Sequence, residues 1–155
     1  MSQQTGRNVA VVGPPGSGKS ALIKYLAQKI VAGDAPDALS TKRLVLLDFT
    51  RLLSGIKTQG DLAERIKNIF EEVEYAQNVI IVIEEIHNLG LGEAGTSFNL
   101  YSLMSPYLES DAFQFIATTE KENYSRILEK NGSFARLFRK IELPPATEEE
   151  TLEVL

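Results

Sequence analysis

Apolar residues enter this chain in short unbroken runs, each closed by a polar corner and followed by a stretch where they recur every three or four positions. The runs are Asn8-Val9-Ala10-Val11-Val12, Arg43 to Asp48, Val79 to Ile83, Phe113 to Ala117 and Ile141-Glu142-Leu143. The first reads as a buried strand, and the others as the second to fifth strands. Between them, Ser20 to Val31 carries Leu22, Leu26 and Ile30 on one helical face. Asp61 to Ala76 carries Leu62, Ile66, Ile69, Phe70 and Val73, with Asp61 expected as its cap. Ser97 to Glu109 repeats the pattern with Phe98, Tyr101, Met104 and Leu108, and Pro106 predicts a kink near its end. Lys121 to Lys130, Ser133 to Phe138 and a segment opening at Thr147, with Glu150 at the capping-box position, complete the helices. Gly33 to Asp37 reads as a turn, Leu52 to Gly60 as a loop, and Asn88 to Gly95 as a mobile one. Strands alternating with helices predict an α/β domain built on a mainly parallel, five-stranded sheet.

Bulk properties narrow the function classes. At 155 residues, 43% hydrophobic and 24% charged, the chain is expected to form one domain with a full core. It has no cysteine and one histidine, His87, which excludes disulfides, a thiolate nucleophile and a multi-histidine metal centre. The longest apolar run is too short to span a bilayer, and the N-terminus lacks a secretory pattern, so the expectation is a cytoplasmic protein without a membrane partner. A net charge of −5 argues against a broad nucleic-acid footprint.

One segment carries the chemistry. Gly13-Pro14-Pro15-Gly16-Ser17-Gly18-Lys19-Ser20, followed by Ala21, fits the G-x-x-x-x-G-K-[ST] pattern between a strand and a helix. Glycines let the backbone curl so that successive N–H groups face a triphosphate, at a helix start whose dipole favours anions. Lys19 offers charge to the β- and γ-phosphates, and the Ser20 hydroxyl suits Mg²⁺. The strand Val79 to Ile83 then breaks into Glu84-Glu85. Two adjacent carboxylates at a strand end can divide the tasks of holding Mg²⁺ and polarising an attacking water. The P-loop, Glu84-Glu85 and Thr118-Thr119 all follow strand ends, so one sheet edge should collect them, as ligand sites on such sheets do. His87, on the turn beyond the acids, is expected to be structural rather than catalytic.

Order and spacing of several stretches resemble the large α/β subdomain of a Clp-family AAA+ ATPase, of the ClpB/ClpC/ClpA first-module type. They are Gly13–Ser20, Leu26 to Pro36, Gly55-Ile56-Lys57 with Gly60 and Glu64-Arg65, Ile83-Glu84-Glu85-Ile86-His87, Ala117-Thr118-Thr119, and Tyr124 through Phe134-Ala135-Arg136-Leu137-Phe138. The resemblance implies a P-loop NTPase three-layer sandwich over residues 1–155, ATP or ADP with Mg²⁺ as ligands, and a ring homo-oligomer, a hexamer, in the full-length protein. It implies a protein substrate or partner protease and no nucleic acid. By the same resemblance Glu85 is the catalytic glutamate, Lys19 a phosphate ligand, Glu84 a metal ligand with Ser20, Thr119 the γ-phosphate sensor, and Arg136 a finger for the neighbouring subunit.

The chain departs from the family in four places. Glu84 stands where Asp is usual, Arg136-Leu137 where two arginines are common, and Thr58-Gln59 follows Lys57 where a threading loop carries an aromatic. The family's helical lid would begin near Leu155, so a fragment of a longer protein, weak as an ATPase by itself, is expected. Two other readings follow from these departures and the shared motif: a non-hydrolysing nucleotide-binding assembly module, and a loader-type AAA+ ATPase acting with DNA.

Overall fold

The computed structural model describes residues 8–89, 100–130 and 132–145. Five strands, β1 (Asn8–Val12), β2 (Arg43–Leu46), β3 (Val79–Ile83), β4 (Gln114–Thr119) and β5 (Phe138–Glu142), form one sheet in the order β2-β3-β4-β1-β5. Every pairing is parallel, as connections through helices require. The helices are α1 (Lys19–Ala32), α2 (Phe49–Leu53), α3 (Gln59–Ala76), α4 (Leu100–Glu109), α5 (Lys121–Lys130) and α6 (Gly132–Leu137), with a 3₁₀ turn at Ile86–Leu89.

Both faces of the central strands are covered, while the edge strands β2 and β5 are largely exposed. Ala10, Val12, Ile81, Ile83, Phe115 and Ala117 join α3 and α4 in one core, while the alternate residues Val11, Ile80 and Val82 are buried on the other face. The first face is closed by aromatics: Phe70 of α3 stacks on Tyr107 of α4 at 4.1 Å and meets Phe113 edge-on at 5.0 Å. None of the residues of α1 is fully buried. Among the described residues no helix is long and apolar enough to cross a membrane.

The elements match the apolar pattern, with corrections at their ends. The expected loop Leu52 to Gly60 is shorter, because α2 occupies Phe49–Leu53 and α3 already begins at Gln59. The cap of α3 is Thr58, not Asp61: the Thr58 hydroxyl accepts from the Asp61 N–H at 3.1 Å, and the Asp61 carboxylate accepts from the Thr58 N–H at 3.2 Å. α4 continues through Pro106 to Glu109. β4 extends to Thr119 because Val12 pairs with it. β5 starts three residues earlier than its apolar run, since as an edge strand it tolerates exposed Arg139 and Lys140 while pairing with β1. The expected helix from Thr147, the glycines at 90–95 and the start of the fourth helix at 97–99 lie outside the described residues.

Candidate functional site

Parallel strands place all five carboxyl ends at one edge, and the polar groups gather there. β1 lies between β4 and β5, so the Gly13–Gly18 loop leaves the sheet flanked by both. Its first residue is fixed by both neighbours: the Gly13 N–H donates to the Thr119 carbonyl at 3.2 Å, and the Leu143 N–H donates to the Val12 carbonyl at 2.7 Å. Gly13 is a close approach, since a Cβ there would stand 2.5 Å from the Ser17 hydroxyl and 3.2 Å from Leu143. Gly16 and Gly18 adopt φ of +78° and +90°, the left-handed region that an L side chain resists.

The loop fits a bound polyphosphate. Gly18 is the N-cap of α1 and supplies no side-chain bond, and the first turn of α1 has no acidic residue. The first N–H groups of that helix are therefore not taken up by a side-chain cap. The Ser17 hydroxyl is buried without a hydrogen-bond partner, a donor that an anion in the loop would satisfy. Lys19 folds back over the loop, its Nζ donating to the carbonyls of Gly13 and Pro14, both at 2.9 Å. The ammonium is thus already held at the loop, bonded to groups a phosphate can replace. Ser20 is exposed in the first turn of α1.

Glu84 and Glu85 follow β3 directly, and their backbones differ. Glu85 takes φ of +54°, a left-handed conformation that costs a non-glycine residue about 1–2 kcal/mol. Two bonds hold it there. Its N–H donates to the buried Thr118 hydroxyl at 3.1 Å, and its carbonyl accepts from the Asn88 N–H at 2.8 Å. The Glu85 carboxylate also accepts from the Asn88 amide at 3.3 Å. Glu84 is half-buried and Glu85 is exposed. Thr119, 1% exposed, ends β4, and its hydroxyl lies 3.3 Å from His87 Nδ1.

The sheet edge therefore brings together Gly13 to Ala21, Glu84, Glu85 and Thr119. It does not bring Arg136. That residue is exposed at the end of α6, immediately before β5, and Phe138 pairs with Asn8 at the opposite edge of the sheet. The length of β5, about 16 Å, separates the two edges.

A cleft of about 780 Å³ adjoins the loop at Gly13–Pro15 and is bounded by Glu120–Glu122 and Glu142–Pro145. It does not reach Lys19 or Ser20, and Lys121 stands among the three carboxylates that line it. At its rim Glu142 is bonded by Lys140 of the same strand at 2.7 Å, and that hydrogen bond and the charge beside it hold the Glu142 carboxyl below the usual value of 4.5. Ser17 and Thr118 belong to stretches legible in the sequence, but Asn88 does not, because a short polar residue on a turn signals nothing until folding sets it against Glu85.

The sequence profile of the ATPase family associated with various cellular activities (AAA) matches residues 9–145. Over its whole length the chain is 36% identical to an ATP-dependent Clp protease ATP-binding subunit ClpA homolog of Cyanidium caldarium and 35% identical to ClpC of Staphylococcus epidermidis. It spans 18% and 19% of those relatives. Among solved structures, a closed-state reconstruction of Hsp104 with ATPγS and FITC casein is similar at a TM-score of 0.81 and 35% identity, covering 96% of this chain and 25% of that one. The Saccharomyces cerevisiae Hsp104–ADP complex is similar at the same TM-score with 33% identity, covering 95% and 21%.

Proposed function

Since the chain belongs to the AAA ATPase family, we propose that residues 1–155 are the large α/β ATPase subdomain of a Clp-like chaperone or unfoldase subunit, binding and hydrolysing ATP. The observation that carries this reading is the meeting of the Gly13–Ser20 loop, Glu84-Glu85 and Thr119 on one sheet edge. In the proposed division of work, Lys19 and the loop amides hold the phosphates. Ser20 and Glu84 would hold Mg²⁺, which supplies charge neutralisation when bound. Glu85 orients water for in-line attack, and Thr119 contacts the γ-phosphate. Arg136 serves a neighbouring copy in a ring, a hexamer, because its own loop lies at the other edge of the sheet. A polypeptide substrate and a cytoplasmic setting complete the proposal.

Calorimetry with ADP and Mg²⁺ tests the loop. Lys19→Ala should abolish measurable heat, and equal heats from variant and wild type would overturn the assignment. Glu85→Gln should keep nucleotide bound yet slow hydrolysis by roughly 10²–10⁴ in the full chain. Unchanged turnover would remove Glu85 from the reaction.

A further inference from the structure

The 3₁₀ turn Ile86–Leu89 is anchored by its ends, with Ile86 and Leu89 both fully buried. His87 between them is half-buried and places Nδ1 at 3.3 Å from the hydroxyl of Thr119, buried at the end of β4. A threonine hydroxyl has one proton to give and two lone pairs to receive with. If Nδ1 accepts, that proton is spent on the ring and none remains for a phosphate oxygen, which is an acceptor only. If Nδ1 carries the hydrogen, the ring donates to Oγ1 and the hydroxyl proton is left for the ligand. With a γ-phosphate present, only the second arrangement satisfies all three groups, and a chain of like-directed bonds strengthens each member.

We infer that His87 is a positioning residue for Thr119: its Nδ1–H donates to Oγ1 and so directs the threonine proton at the γ-phosphate of a bound nucleoside triphosphate. The inference rests on the reading of the Gly13–Ser20 loop as a nucleotide site. It gives His87 a part in telling triphosphate from diphosphate, through Thr119 and without touching the ligand. Neighbouring bonds keep the geometry stiff, since Glu85 and Thr118 tie the ends of β3 and β4 together at 3.1 Å.

The test compares ATPγS with ADP by calorimetry in the full chain with Mg²⁺, so that it does not depend on turnover. His87→Phe keeps a ring but no donor, and should reduce the preference for ATPγS over ADP by about 5- to 10-fold, the worth of one hydrogen bond. Its ADP affinity should stay within about 2-fold of wild type, a margin below that worth. His87→Asn can present an amide N–H near the Nδ1 position and should keep most of the preference. In a Thr119→Val background, His87→Phe should add nothing. The inference is overturned if His87→Phe retains the full preference, if both ligands weaken equally, if His87→Asn behaves like His87→Phe, or if the effect persists without the Thr119 hydroxyl. Were Lys19→Ala still to bind ADP as wild type does, the nucleotide site itself would fall and take this inference with it, a result distinct from the others.

Discussion

Asn8 is a polar residue opening an apolar strand, and it is buried. Its Nδ2 donates to the Leu108 carbonyl at 3.3 Å and its Oδ1 accepts from the Phe115 N–H at 3.0 Å, tying the end of α4 to β4. Truncation leaves both main-chain groups buried and unpaired, at about 1–3 kcal/mol for each such group. Asn8→Ala should therefore lower the unfolding free energy by about 2–6 kcal/mol in urea titration. A loss under half a unit would show that water replaces both bonds. Glu142 makes a different prediction at the same scale. Lys140 depresses its carboxyl, so the stabilisation from their pairing is fully present above the usual value of 4.5 and is lost as pH falls through the lowered folded value. Lys140→Gln should return the Glu142 titration, followed by carboxyl ¹³C shifts, upward toward that value. An unmoved titration would assign the depression to another charge. Lys121 is the other contributing cation.

The start of α3 shows how one element constrains another's function. Thr58 closes the reciprocal cap with Asp61, while Arg65, one turn further on, donates to the carbonyls of Leu52 at 2.9 Å and Ser54 at 2.6 Å. The segment between α2 and α3 is thus held at both ends, and only Gly55, Ile56 and Lys57 lie between the anchors. Thr58→Ala should cost about 1 kcal/mol, the usual worth of an N-cap, read as a shift of urea midpoint at unchanged slope. No shift would mean that Asp61 alone suffices to start the helix. Thr58→Tyr would forfeit the same cap, so an aromatic grip on a polypeptide is better introduced at the exposed Lys57. The cap also explains why Thr58 occupies this place: its side chain is committed to starting a helix and has no freedom to present apolar area to a substrate.

For the whole molecule, the parallel sheet sets the loop and Arg136 at opposite edges, about a strand length apart. An arginine finger delivered across subunits typically supplies about 10³–10⁵ in rate. In the full-length assembly, Arg136→Ala should lose turnover on that scale while binding ADP normally, and Lys19→Ala should lose binding. Mixed rings of the two variants should regain part of the turnover, because one subunit's arginine can serve another's intact loop. Mixtures as inactive as their components would exclude action in trans. Much of this architecture was legible in the chain itself. Unbroken apolar runs between helical repeats dictate parallel strands, and those of β1 and β3 are buried as such runs require, while the run of β2 lies exposed at the sheet edge. The spacing of Gly13, Gly18, Lys19 and Ser20 dictates a phosphate loop, because its geometry is local backbone geometry. Strand-end acids were legible for the same reason, being defined by where an apolar run stops. Other features depended on contacts that no local pattern encodes. The early start of β5 needed β1 beside it, and the left-handed Glu85 needed the Thr118 hydroxyl, 33 positions away along the chain. The pairing of His87 with Thr119, 32 positions apart, likewise exists only once β3 and β4 are neighbours. Sequence determined which groups could perform the chemistry; the tertiary structure alone decided which hydrogen bonds they make, because a hydrogen bond is satisfied by whatever folding brings within about 3 Å.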